Sequence, residues 1–97
     1  MSRIPRNAKR DANEPDIIQA LEAQGFSVAR INGAGVPDLV VGKGPTFCRL
    51  VEIKQPKGTF KPKQITFRES WRGPAIVTLR SVSDALKFMV LAMESGQ

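Results

Sequence analysis

The chain has 97 residues, with fifteen Lys and Arg against nine Asp and Glu, a net charge of +6, and 41% hydrophobic residues. That length holds one domain with a single core, and the mixture is that of a globular chain, not a disordered one. There is no histidine and only one cysteine, Cys48, which excludes His-based zinc sites, His general bases, Ser-His or Cys-His nucleophiles and an internal disulfide.

Residues 1–12 lack apolar periodicity and carry Arg3, Arg6, Lys9 and Arg10, so they read as a flexible basic arm ahead of a single domain over 13–97. No apolar segment follows the arm, as a secretory signal would require. No run approaches the roughly 20 apolar residues that span a bilayer. The expected compartment is the cytoplasm, that of a host cell if the chain is phage-encoded, with no membrane partner.

Asn13 reads as an N-cap, with Pro15 in the first turn and Asp16 favourable against the helix dipole. This first helix runs to about Gln24 on an apolar stripe of Ile17, Ile18 and Leu21, with Gly25 as its stop. A strand follows from Phe26 to Ile31, then the turn Asn32-Gly33-Ala34-Gly35, stiffened by Pro37. Asp38 to Val41 is a short apolar strand, and Gly42 to Pro45 turns into a longer one from Thr46 to Lys54. Alternation puts Phe47, Val51 and Ile53 on one face of that strand and Leu50, Glu52 and Lys54 on the other.

A basic loop spans Gln55 to Lys61. Pro62 opens a second helix reaching Trp71, closed by Gly73-Pro74. Trp71 falls in phase with Phe67, which predicts core packing rather than a base-stacking platform. Ala75 to Leu79 is a buried strand, and Ser83 caps a last helix with Leu86, Met89, Val90 and Met93 on its core side. The order α-β-β-β-α-β-α defines an α/β domain with a four-stranded mixed sheet. Its first three strands form a meander, and the second helix crosses over to add the fourth in parallel.

The positive charge is clustered. Residues 43–72 carry eight basic side chains against only Glu52 and Glu69, the footprint of a protein that neutralises phosphates. Within that region Lys57, Lys61 and Lys63 are suited to a nucleic-acid backbone.

Asp38 begins one strand, and after thirteen intervening residues Glu52-Ile53-Lys54 ends the next. Glu52 and Lys54 project from one face, and pairing beside Asp38 would let both carboxylates grip one Mg²⁺ or Mn²⁺, with the Ile53 carbonyl as an added ligand. Such an ion polarises a phosphate and acidifies a bound water, while Lys54 steadies the negative charge that develops. The spacing alone is common; the preceding Gly35-x-Pro37 sharpens it. Glu14 shares the sheet-facing stripe of the first helix, which makes it either a third acidic member of the site or a first-turn residue serving the helix dipole. Gln64 is either an orienting amide for water or phosphate or a plain surface residue. Arg80 either binds phosphate or caps a strand end.

Glu14, Gly35-x-Pro37-Asp38-Leu39, Glu52-Ile53-Lys54, Gln64 and Leu79-Arg80-Ser81-Val82-x-Asp84 together resemble the VRR-NUC domain, a branch of the PD-(D/E)XK nuclease superfamily. The likeness covers about residues 14–90, with Leu79-Arg80-Ser81 where Val-Arg-Ser or Val-Arg-Arg is more usual. It implies a restriction-endonuclease-like αβββαβ(α) core in a minimal stand-alone, phage-like member. Asp38 and Glu52 would be metal ligands, Lys54 the catalytic lysine, and Glu14 and Gln64 supporting residues. It further implies a homodimer cutting branched DNA, as Holliday-junction resolvases do. Arg68, Arg80 and the basic arm are expected to join the lysines on DNA. The expected activity is thus that of a Mg²⁺-dependent structure-specific endodeoxyribonuclease with no small-molecule cofactor. The rivals are a flap or duplex nuclease of the same superfamily and a non-catalytic basic DNA-binding module.

Overall fold

Pro15 in the first turn and Gly25 past the last one delimit helix α1, Glu14–Ala23, in a computed structural model that describes residues 11–94. Gly25 takes φ 88°, its N–H reaches the Glu22 carbonyl at 3.0 Å, and the Phe26 N–H reaches that of Leu21 at 3.1 Å. These two bonds make a Schellman stop, which needs a left-handed residue that glycine supplies without strain. Asn13 sits at the N-cap position but caps nothing. Its Nδ2 instead donates to the carbonyls of Lys54 at 3.1 Å and Arg80 at 3.0 Å, tying the helix entrance to two strand ends. Arg3, Arg6, Lys9 and Arg10 lie outside the described residues, whereas Asp11 is half-buried and accepts the Glu14 N–H at 3.1 Å.

Strands β1 (Ser27–Arg30), β2 (Leu39–Lys43), β3 (Phe47–Ile53) and β4 (Val77–Leu79) form one sheet in the order β1-β2-β3-β4. The first three pair antiparallel, and β4 joins β3 in parallel after the crossover helix α2, Pro62–Ser70. The domain is therefore α/β with a four-stranded mixed sheet. The hairpin turn is shorter than the Gly42–Pro45 expectation, because Gly42 and Lys43 stay in the ladder opposite Cys48 and Phe47.

Leu39, Val41, Val51, Ile53 and Leu79 bury one sheet face against Ile17 and Leu21 of α1 and Ala85, Phe88, Met89 and Ala92 of helix α3, Val82–Glu94. Each fully buried aliphatic side chain contributes about 2 kcal/mol. Phe26, Phe47 and Phe88 close one end, with ring centroids 5.7–6.2 Å apart. No helix among the described residues is long and apolar enough to cross a membrane.

Three expectations are corrected. The cap of α3 is Ser81, not Ser83: its Oγ accepts the Asp84 N–H at 3.0 Å. The core side of α3 is Ala85-Phe88-Met89-Ala92, so Leu86, Val90 and Met93 face solvent at 52–53% exposure. Ala85 and Ala92 join Phe88 and Met89 in the cluster that holds Ile17 and Leu21 of α1, while Ser83, Lys87 and Glu94 lie on the opposite, exposed side. Trp71 is 38% exposed rather than core; it stacks on Phe67 at 5.6 Å, and its Nε1 donates to the Pro74 carbonyl at 2.8 Å.

Candidate active site

The pairing of Leu39 with Val51 carries the register one residue further and sets Asp38 opposite Glu52. Asp38 is held from two sides. Its carbonyl accepts the Ile31 N–H at 2.8 Å, and its Oδ2 accepts the Ile53 N–H at 2.7 Å. Ile53, the expected source of a backbone ligand, is thereby fixed against the Asp38 carboxylate.

The Gly35-x-Pro37 lead-in has a structural reason. Gly35 adopts φ +80°, and a Cβ there would lie 2.6 Å from the Lys63 carbonyl oxygen. Only glycine lets this turn press on the backbone at the start of α2, and Pro37 is fully buried behind it. The first turn of α2 is therefore seated beside the strand ends that carry Asp38 and Glu52.

Glu52 and Lys54 are 2% and 7% exposed, and burying such groups is costly unless they are paired. Gln64 connects them. Its Oε1 accepts from Lys54 Nζ at 2.7 Å and its Nε2 donates to Glu52 Oε2 at 3.1 Å. The same Oε1 accepts the Lys61 N–H at 2.8 Å and so also caps α2. Phe60 lies between two cations, 5.3 Å from Lys54 Nζ and 4.3 Å from the Arg68 guanidinium, and Arg68 also donates to Thr78 Oγ1 at 2.7 Å.

Burial, the neighbouring Asp38 charge and a hydrogen bond between the two carboxyl groups push Glu52 up to about 8, against the opposing pull of Lys54 and Arg68. Asp11 is likewise raised, first by burial and then by the charge of Asp38. Two carboxyl groups that share a proton are the donor set a hard divalent cation would take over, replacing that proton. Asp38 and Glu52 thus fit Mg²⁺ or Mn²⁺.

Glu14 turns inward, as its spacing predicts, and is 1% exposed, but a cation meets it there: Arg30 Nε donates to its Oε2 at 2.9 Å. Among the described residues, no group of three or more acidic or thiol side chains is gathered closely enough to hold a metal ion. The Asp38–Glu52 pair is the acidic centre, and Asp11 feels the charges of both Asp38 and Glu14.

Lys57, Lys61 and Lys63 are exposed around the loop and the start of α2. Arg68 faces inward onto Phe60 and Thr78 rather than outward. Arg80 is engaged internally too: its guanidinium donates to the carbonyls of Gln55 at 2.9 Å, Pro56 at 3.3 Å and Gly58 at 2.7 Å, and so shapes the basic loop.

Sequence reasoning passed over Asp11, Asn13 as a tether, Arg30 and Phe60. Arg30 was accessible, since alternation from Val28 places it on the face beneath α1. Phe60 is the one aromatic within the lysine-rich loop. Neither Asp11 nor the carbonyl contacts of Asn13 and Arg80 leave a mark in the sequence. Comparison with protein-family models, with characterised proteins and with solved structures returned no match.

Proposed function

We propose that this protein is a Mg²⁺- or Mn²⁺-dependent endodeoxyribonuclease. The observation that carries the reading is the buried Asp38–Glu52 carboxyl pair, joined through Gln64 to the Lys54 ammonium in a strongly basic chain. The αβββαβα element order and the VRR-NUC resemblance support a PD-(D/E)XK core.

Asp38 and Glu52 would hold the ion, with the Ile53 carbonyl and Glu14, which also pairs with Arg30, as further candidate ligands. A bound divalent cation supplies Lewis acidity toward the phosphate and an acidified water. Lys54, its ammonium fixed at 2.7 Å from Gln64, offsets the charge that builds on the phosphate oxygens. Gln64 keeps Lys54 and Glu52 in register with each other. Lys57, Lys61 and Lys63 bind backbone phosphates, which positions DNA without reading its sequence.

The favoured substrate is branched DNA, cut by a homodimer whose two sites match a two-fold junction. The test is cleavage of labelled four-way junction, flap and linear duplex, each with Mg²⁺ and with EDTA. The reading predicts metal-dependent cleavage that prefers the junction. Equal cleavage of all three would keep the chemistry and remove the junction preference. DNA binding without cleavage under any condition would leave a non-catalytic basic module.

A further inference from the structure

Of the seven large hydrophobic side chains exposed among the described residues, five lie on α3: Val82, Leu86, Val90, Leu91 and Met93. Directly opposite the buried face runs a stripe of Lys87, Val90, Leu91 and Glu94, spaced i, i+3, i+4 and i+7, all four exposed. Along the helix the stripe reads cation, two aliphatics, anion. A two-fold axis crossing α3 between Val90 and Leu91 maps that pattern onto its own complement. Val90 then meets the partner's Leu91, and Lys87 meets the partner's Glu94, twice over. A parallel pairing would set lysine on lysine.

We propose that the outer face of α3 is a self-association surface on which a second copy of this chain docks antiparallel across that axis. An isologous contact needs one patch that complements itself, and this stripe does so in both charge and apolarity. Leu86 and Met93 flank it. A cleft of about 330 Å³ between α3 and the sheet edge, lined by Phe47, Val77 and Phe88 with Arg49 and Asp84, adjoins the stripe at Lys87 and Leu91. That adds apolar area to a helix pair that alone falls short of the roughly 800 Å² per partner of a stable interface. The proposal supplies a surface for the dimer of the proposed nuclease, and its test uses no DNA and no metal.

The experiment is sedimentation equilibrium of the intact chain and of Lys87→Glu, Glu94→Lys and the double exchange, with circular dichroism to establish that each is folded. Each single exchange turns two attractive pairs into two repulsive ones. Each should weaken dimerisation by about tenfold or more, while the double exchange returns it to within about threefold of the original. Val90→Cys in a Cys48→Ser background should also cross-link under mild oxidation. A chain that stays monomeric across its soluble range overturns the proposal, as does a dimer indifferent to all three charge variants. A failure of nuclease activity leaves this measurement untouched.

Discussion

Gln64 Nε2 donates to Glu52 Oε2 at 3.1 Å while its Oε1 accepts from Lys54 Nζ at 2.7 Å, so one amide carries the relation between a carboxylate and an ammonium. Replacing Gln64 with Ala leaves the Asp38–Glu52 pair in place but frees the lysine. The cleavage rate under single-turnover conditions should fall by about tenfold to a hundredfold, the usual cost of losing a group that orients a metal ligand. The lost cap at Lys61 should cost about 1 kcal/mol in denaturant unfolding. A variant that cuts at the original rate would mean Gln64 is only a cap.

The carboxyl pair gives stability a pH dependence whose sign follows from Glu52. Its folded value is raised from 4.5 to about 8, so its stabilising contribution is complete below 4.5 and is lost as pH rises through about 8. Metal-free protein should melt at progressively lower temperature across that window, and Glu52→Gln should flatten the slope. Mg²⁺ replaces the shared proton, so its stabilising effect should be larger above the upper value than at mildly acid pH. Thermal unfolding with and without Mg²⁺ across the window measures both.

Two glycines with positive φ should respond differently to alanine. Gly44, at φ +69°, has nothing within 4 Å of a new Cβ; Gly44→Ala should cost only backbone strain, about 1 kcal/mol. At Gly35 the same strain is joined by contact with the Lys63 backbone, and Gly35→Ala should cost clearly more while displacing α2 from Asp38. Denaturant melts of the two variants rank them.

The Glu14–Arg30 pair is asymmetric: the two side chains are 2% and 53% exposed. Arg30→Ala leaves a buried carboxylate without that cation, whereas Glu14→Gln removes the charge and keeps a hydrogen-bonding group. The arginine variant should be the less stable by about 2 kcal/mol, below the 3–5 kcal/mol of fully buried pairs because Arg30 is half in solvent. Equal stability in urea melts would contradict the pairing.

What could be read from the chain follows its local chemistry. The ends of α1 are marked by Pro15 and Gly25, and the alternation around Glu52 and Lys54 states their shared face; both are properties of a few neighbouring residues. The inward turn of Glu14 was legible from periodicity, but its partner Arg30 sits sixteen residues away and is chosen by how α1 lies on β1. The phase of α3 was legible only in part: Met89 does lie on the buried face, but Leu86, Val90 and Met93 are bulkier than Ala85 and Ala92 and drew the expected stripe about one residue's rotation away from the face that holds the two alanines. Arg80 stood open between phosphate ligand and strand-end cap, since a sequence cannot show three carbonyls of a loop converging on one guanidinium.

The most direct test of the account is the single-turnover cleavage of four-way-junction DNA in Mg²⁺ by the native chain, Glu52→Ala and Lys54→Ala. The account predicts cleavage by the native chain, none in EDTA, and a loss of about a hundredfold or more in each variant. Cleavage that persists in EDTA, or that both variants retain at the native rate, would contradict it.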